Sequence, residues 1–449
     1  LMPSLDISIA NVGLPALAHS FAASFQEIQW VVIAYLLATT TLIVSAGRLG
    51  DIIGRRRLLL GGIGLFTAAS LLCGIAPTLW LLLAGRAAQG LGGAVMLALS
   101  IALVSETVAK EKTGSAMGLL GTMSAVGTTL GPALGGVLIG SIGWRVIFLV
   151  NVPLGILNLA LALRALPADR RGLKTERTRL DIRGTVLLAG TLAAYALAMT
   201  IGHGNIGSGN LALLAAAFAG AILFVIAQAR TASPLLYLAM FREPALVTGL
   251  ARSAIVSTVI MATLVVGSFY LSRGLGLEAA RVGLVMSAGP LVAALSGVPA
   301  GRMVDRFGAR GMTIAGLTGM VAGLSTLALL TAAFGIAGYV IPIAIVTASY
   351  ALFQAANNTA IMADVRAERR GLVSGMLSLS RNLGLITGAS LMGAIFAWLS
   401  GTSDMARSSA LSIAGGMRGT YAIAALMIAA PLVVAAAQIG IRAVARRIR

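Results

Sequence analysis

The sequence predicts an all-α membrane protein built from two six-helix bundles with two additional transmembrane helices between them, fourteen spans in all. Three observations carry this. Of the 449 residues 58% are hydrophobic and 10% charged, with a mean hydropathy of +0.96; soluble domains carry roughly a quarter charged residues, so lipid is the solvent for most of this chain. Apolar runs of about 20 residues, long enough to cross a bilayer at 1.5 Å per residue, recur along its whole length. A knot of glycine and charge, "GRLGDIIGRRR" from Gly47 to Arg57, returns as "GRMVDRFGAR" from Gly301 to Arg310.

Residues 1–164 hold the first six spans, at about 1–20, 28–47, 58–76, 79–104, 114–139 and 145–164. The opening run "LMPSLDISIANVGLPALAHSF" has no charged flank before it, so the native start is expected upstream. Residues 165–244 hold a basic linker and two spans, 183–202 and 210–229. The linker reads as a cytoplasmic segment lying on anionic lipid, and His203 in "GHGNIGSGN" as an outer-loop residue. Residues 245–441 supply the second six spans, at 246–271, 280–300, 311–334, 337–361, 371–399 and 418–441, and 442–449 form a basic tail. Gly301, Asp305 and Gly308 repeat the spacing of Gly47, Asp51 and Gly54, both copies falling between the second and third spans of a six-span block. The offset exceeds what six spans with short loops need, and the pair at 183–229 accounts for the surplus.

Charge sets the orientation. When loops are assigned alternately to two sides, 25 basic residues fall on the side of the knot, five on the other (Arg145, Arg273, Arg281, Arg407 and Arg418) and three within spans (Arg86, Arg252 and Arg381). Lysine and arginine accumulate in the cytoplasm, so both termini are expected there. Trp30, Trp80, Trp144 and Trp398 then fall near the outer ends of their helices, where amphipathic rings belong. The net charge of +19 thus reads as topology; no basic block interleaved with aromatics points to nucleic acid. One cysteine, Cys73, and two histidines, His19 and His203, leave no disulfide framework and no metal or cofactor site to expect. No nucleophile, base and oxyanion set is recognisable, which argues against an enzyme. The 30 arginines against three lysines suggest a GC-rich bacterial source and an inner-membrane location, and the chain is expected to act as a monomer.

The repeated knot is more than a basic loop. Its glycines allow tight turning, its aspartate can accept bonds from an exposed helix N-terminus, and its arginines anchor at anionic headgroups, so Gly47, Asp51, Gly54, Arg55, Arg56 and, in the second copy, Asp305 read as a conformational latch. A plain positive-inside loop is the alternative. At these residues the chain resembles the major facilitator superfamily, whose signature between helices 2 and 3 matches Gly47, Leu49, Asp51, Gly54, Arg55 and Arg56. Finer motifs resemble its fourteen-helix drug:proton antiporter branch: "LDISIANVGLP" from Leu5 to Pro15, "LLAGRAAQGLGGA" with Leu82, Arg86, Gln89, Gly90 and Gly92, and "GLLGTMSAVGTTLGPALGG" with Gly118, Gly127, Gly131, Pro132, Gly135 and Gly136. "GWRVIFLVNVPLG" from Gly143 is similar to the start of helix 6 in that branch. Ser8 stands where the branch has threonine, and Met303 and Ala309 weaken the second knot.

The resemblance implies export by rocking of two halves, and no phosphate-binding loop is present to draw energy from ATP. A proton gradient is then the expected source. A coupling proton needs a titratable group within the bilayer, and Asp6 is the one carboxylate placed well inside a span; burial favours its neutral form and a nearby cation its charged form. A cap or brace for the first helix is the competing role. Arg86 lies too deep to reach either interface and needs an internal partner, for which Asp6 is the candidate; the resemblance implies that this arginine serves proton coupling, and a static ion pair is the alternative. Gln89 shares its helical face. Asn11, Gln89, Gln354, Asn357, Asn358 and Arg381 are the candidates to line a substrate cavity, although interhelical bonds are the commoner role for asparagine pairs, and Arg252 can snorkel. Gly127, Gly131 and Gly135 make a smooth helical face that Pro132 bends, suited to a sealed interface, a hinge or plain packing. One deep acid against up to three deep cations disfavours a dication, so the expected cargo is a neutral, monocationic or anionic amphipathic compound. The rivals are an exporter of one metabolite or organic anion, favoured by Arg252 and Arg381, and a membrane sensor that has kept the fold without transport.

Overall fold

The computed structural model describes residues 1–107, 113–166, 181–201, 207–231, 234–235, 238–329, 334–363, 365, 370–401 and 409–447. Most of the linker after Arg164, and His203 with its loop, lie outside the described residues. Within them the architecture is all-helical. The first half comprises α1 (Met2–Ser20), α2 (Phe25–Ile53), α3 (Arg55–Ile75), α4 (Leu79–Thr107), α5 (Thr113–Ser141), the short α6 (Val146–Leu149) and α7 (Asn151–Ala165). Next come α8 (Ile182–Thr200) and α9 (Ser208–Arg230). The second half comprises α10 (Pro244–Phe269), α11 (Ala279–Phe307), α12 (Ala309–Leu329), α13 (Gly335–Met362), α14 (Arg370–Thr387), α15 (Gly393–Leu399) and α16 (Ala410–Arg447). Wider π turns at Tyr270–Gly274 and Gly388–Met392 extend α10 and join α14 to α15.

Twelve helical stretches among the described residues are long and apolar enough to cross a membrane. The helices α1 and α5 are not among them, so by that measure the structure supports twelve of the fourteen expected spans. Element boundaries differ from expectation at the knot. The sequence predicts a second span that ends near residue 47, whereas α2 runs on to Ile53 and α3 begins at Arg55, leaving Gly54 as the sole connector. Gly54 has φ +106° and Gly308, at the same place between α11 and α12, has φ +83°. Both values lie in the left-handed region that a Cβ disfavours, so these two glycines let one helix reverse into the next within a single residue. At the other end of α2 the Ser24–Glu27 capping box fixes the start, with the Glu27 amide donating to Ser24 Oγ (3.2 Å) and the Ser24 amide to Glu27 Oε2 (2.7 Å).

The pair α8–α9 stands beside α2. Trp30 Nε1 donates to Thr200 Oγ1 at 3.0 Å, and the Ser45 and Thr185 hydroxyls share a 3.1 Å bond, so α8 lies antiparallel along α2 and is pinned at both ends. Tyr195 on the same helix faces Thr387 and Ser390 of the second half. Buried Asp181 caps α8 by accepting from the Gly184 amide (2.8 Å) and clasps α9 by accepting from Gln228 Nε2 (2.6 Å).

Candidate functional site

The first half encloses a fully buried polar cluster. The helix α1 presents Asp6 and α4 presents Arg86 and Gln89, each 0% exposed. Arg86 Nη1 donates to Asp6 Oδ2 at 2.5 Å and to Gln89 Oε1 at 2.7 Å, while its Nε donates to the Val31 carbonyl at 2.8 Å. Asp6 Oδ1 accepts from Gln89 Nε2 (3.1 Å) and from Asn151 Nδ2 (2.9 Å), and Gln89 Nε2 also donates to Ser70 Oγ at 2.7 Å. The guanidinium lies 4.6 Å from the centre of the Tyr35 ring and 5.7 Å from that of Phe148. Three elements of one half, α1, α4 and α7, therefore meet at the Asp6 carboxylate, with α2, α3 and α6 joined to it through Arg86 and Gln89, and the pair is charge-balanced where both side chains are fully buried. Removing one partner of such a pair strands a buried charge and costs about 3–5 kcal/mol. Asp6, Arg86 and Gln89 are thus brought together in one cluster, Arg86 finding Asp6 as its internal partner. Ser70, Tyr35 and Asn151 were not singled out; the signal for Asn151 was its place in "NVPLG", inside a stretch already matched to the family.

The opposite face of α1 meets the second half. Ser4, Ile7 and Ser8 line a cavity of about 140 Å³ with Thr128 and Pro132 of α5, Leu264 of α10, and Met286 and Pro290 of α11. The α5 glycines explain how α1 comes so close: a methyl at Gly127 would lie 2.7 Å from the Leu1 carbonyl, one at Gly131 would overlap Ser8 Oγ, and one at Gly135 would lie 2.6 Å from Ile9 Cγ1. Gly136 faces the other way, where a methyl would lie 2.5 Å from the Ala279 carbonyl and 2.9 Å from Gly283 Cα. The two halves are therefore in backbone contact at the end remote from the knot. Phe25 stacks edge-on against Phe269 (4.6 Å) and Phe396 (5.4 Å) at that same end, and Gln29 packs directly onto Gly393.

The remaining candidates are dispersed. Asn11 is buried and bonds within its own helix, Nδ2 to the Ile7 carbonyl at 2.8 Å. Asn357 is buried and donates to the Gly249 carbonyl at 3.1 Å, an interhelical bond. Gln354 is half-buried, Asn358 and Arg381 are exposed, and Arg381 lies near Tyr350. At the knot, Arg56 Nη2 holds the Leu163 carbonyl at 2.8 Å and Arg55 is half-buried. The Asp51 side chain lies outside what is described, and Asp305 is exposed.

Two helical halves, with a charge pair sealed inside one and a closed seam between them, fit a multi-pass membrane transporter rather than an enzyme. The chain belongs to the Major Facilitator Superfamily, which it matches over residues 2–389 and 253–444. It is 34% identical over 413 residues to the multidrug resistance protein Stp of Mycobacterium tuberculosis, covering 89% of this chain and 74% of that one. It is 29% identical over 396 residues to the riboflavin transporter RibZ of Clostridioides difficile, covering 88% and 86%. Its fold matches a bacterial homologue of the lysosomal transporter Spinster in an inward-facing, unoccupied conformation, with a TM-score of 0.71 at 13% identity over 97% of this chain and 93% of that one. The xylose transporter XylE of Escherichia coli gives 0.65 at 15% identity, covering 96% and 93%.

Proposed function

We propose that this chain is a fourteen-span, proton-coupled exporter of small amphipathic compounds that works by alternating access. The observation that carries the proposal is the buried Asp6–Arg86 pair. A carboxylate surrounded by donors that turn with it can accept a proton only if the guanidinium is repositioned or its charge is otherwise met, so protonation and helix position are linked. The matches to multidrug efflux relatives support the substrate class, and the packing of α1 and α5 into the bundle supports counting them as spans. The excess of arginine on the knot side supports cytoplasmic termini in a bacterial inner membrane. On that reading the end sealed by Gly136, Gly283 and Phe25 is the outer one, the cavity beneath it awaits cargo from the cytoplasm, and Asp51 with its neighbours latches the inner end when the seam reverses. The chain acts as a monomer and needs no cofactor.

A second reading, export of one metabolite or organic anion, is favoured by Arg381, an exposed cation on α14 with no acid bonded to it among the described residues. The test is internal-pH recording in proteoliposomes across cationic, neutral and anionic compounds, riboflavin included, for wild type and Asp6→Asn. Compound-driven proton flux that vanishes in Asp6→Asn is expected. Flux that survives the substitution removes Asp6 from the proton path, and flux driven by a single compound selects the second reading.

A further inference from the structure

A second cavity lies at the sealed end. It has a volume of about 390 Å³ and is walled by Val12, Pro15, Ala16, His19, Ser20, Ile139, Gly143 and Trp144 of the first half, and by Ser272, Arg273, Ala279 and Val282 of the second. That is within the roughly 300–1,000 Å³ of small-molecule sites. The Gly136–Gly283 contact lies between it and the smaller cavity, so it is a chamber of its own in this conformation, open at its rim where His19 and Ser20 are exposed.

Its chemistry has one sign. Arg273 is half-buried in the π turn that ends α10, and no acid is bonded to it among the described residues. His19, in the last turn of α1, stands exposed at the chamber's rim. Ala279 opens α11 and forms part of the wall, and the N-cap Glu278 makes no side-chain bond to the first turn, so the first amides of that helix carry no side-chain cap. Glu278 itself is exposed and is not part of the wall. The apolar part of the wall includes Trp144, 7% exposed and held by its Nε1 bond to Ser20 Oγ at 2.8 Å, with Arg145 stacked 4.5 Å from its ring centre.

We propose that this chamber is a binding site for a small aromatic monoanion, with the anionic group at Arg273 and the ring against the wall formed by Trp144, Val12 and Val282. The walls come from both halves, so an occupant that fits them binds the sealed conformation and not the parted one, and its binding holds that end shut. The proposal rests on the geometry of the sealed end and goes beyond the transport reading; binding can be measured with no transport at all.

The test is equilibrium dialysis of the purified full chain in nanodiscs of zwitterionic lipid, using 2-naphthoate and its uncharged analogue 2-naphthamide. Wild type is expected to hold naphthoate at least about tenfold more tightly than naphthamide, in line with a charge-assisted bond. Arg273→Gln should bring the ratio close to one while naphthamide binding persists, and Arg273→Lys should keep most of the preference. Arg381→Gln should leave the ratio untouched. Equal binding of the two compounds by wild type, or no binding of either, overturns the proposal. So does a preference that survives Arg273→Gln, or one that disappears in Arg381→Gln, which would place the anion at Arg381 instead. Loss of both compounds in Arg273→Gln and Arg273→Lys alike would mark Arg273 as structural and likewise overturn it.

Discussion

The sealed end contains an energetic conflict that substitution at Gln29 should expose. Gln26 and Gln29 on α2 are 3% and 1% exposed, and among the described residues none of their four amide nitrogen and oxygen atoms has a hydrogen-bond partner. A buried polar group left unpaired costs roughly 1–3 kcal/mol, and that cost disappears when the seam parts and water reaches the amide. Gln29→Leu removes the amide and keeps an apolar side chain of comparable length, so the sealed state should gain roughly 1–3 kcal/mol over the parted one, a shift of about 5–150-fold. Gly393→Ala acts in the opposite sense, because its new methyl would occupy the position of Gln29 Nε2 and the side chain must leave the seam. The two populations can be read by electron-electron double resonance between spin labels at Ile142 and Glu278, both exposed and on opposite sides of the seam. Cys73 is buried and should not take label. A distance distribution that does not move toward the sealed population in Gln29→Leu, or that moves toward it in Gly393→Ala, would refute the reasoning.

Arg86→Ala should lower stability by about 3–5 kcal/mol by stranding the Asp6 carboxylate, and the Asp6→Ala/Arg86→Ala double variant should lose less than the sum of the single losses, measured by thermal unfolding in detergent. Gly131→Ala should destabilise by about 1–3 kcal/mol through overlap with Ser8 Oγ, and Ser8→Ala in the same chain should recover part of it in the same assay. Asp181→Ala removes both the cap of α8 and its clasp on Gln228; hydrogen exchange should then rise in α8 and α9 while α3 and α4 stay protected, at a cost of about 1–2 kcal/mol.

The parts of this molecule that were legible in its sequence are those where a residue type contradicts its solvent. Asp6 and Arg86 stood out because charges in apolar runs need partners, and the structure makes them partners. The glycines of α5 were legible because their spacing of four residues marks one helical face. Ser70 and Asn151 are not, since a lone serine or asparagine in a span can satisfy itself on its own backbone, as Ser8 and Asn11 partly do here, and only the fold shows that Ser70 meets Gln89 and Asn151 meets Asp6. The knot was misjudged in extent for a related reason. Charged residues at a helix end resemble a loop in composition, and the informative signal was Gly54, placed where a left-handed residue can reverse the chain. Gln26 and Gln29 gave no sign of their burial, because an amide near a helix start is ordinary at a membrane surface. Their position follows only from how the second half closes over α2.

The arrangement of α1 limits how a proton could be coupled to a cargo. At 100° per residue Asp6 lies on the opposite side of the helix from Ser4 and Ser8. Asp6 faces Arg86, Gln89 and Asn151 within the first half, whereas Ser4, Ile7 and Ser8 line the cavity shared with the second. A compound in that cavity therefore makes no contact with the carboxylate, and direct competition between cargo and proton for one group is not available to this geometry. On the proposed reading, coupling would run through the position of α1 itself. A neutral Asp6 accepts fewer bonds and releases the guanidinium, and any rotation or sliding of α1 that follows is passed at once to α5, because Gly127, Gly131 and Gly135 leave no space between the two backbones to absorb it. The next glycine along, Gly136, is the residue in backbone contact with Gly283 across the seam. Asp6 and the seal are thus separated by two helix thicknesses of close-packed backbone, and if Asp6 carries the proton as proposed, a methyl at Gly135 should weaken the coupling between proton and cargo more than it weakens the binding of either one.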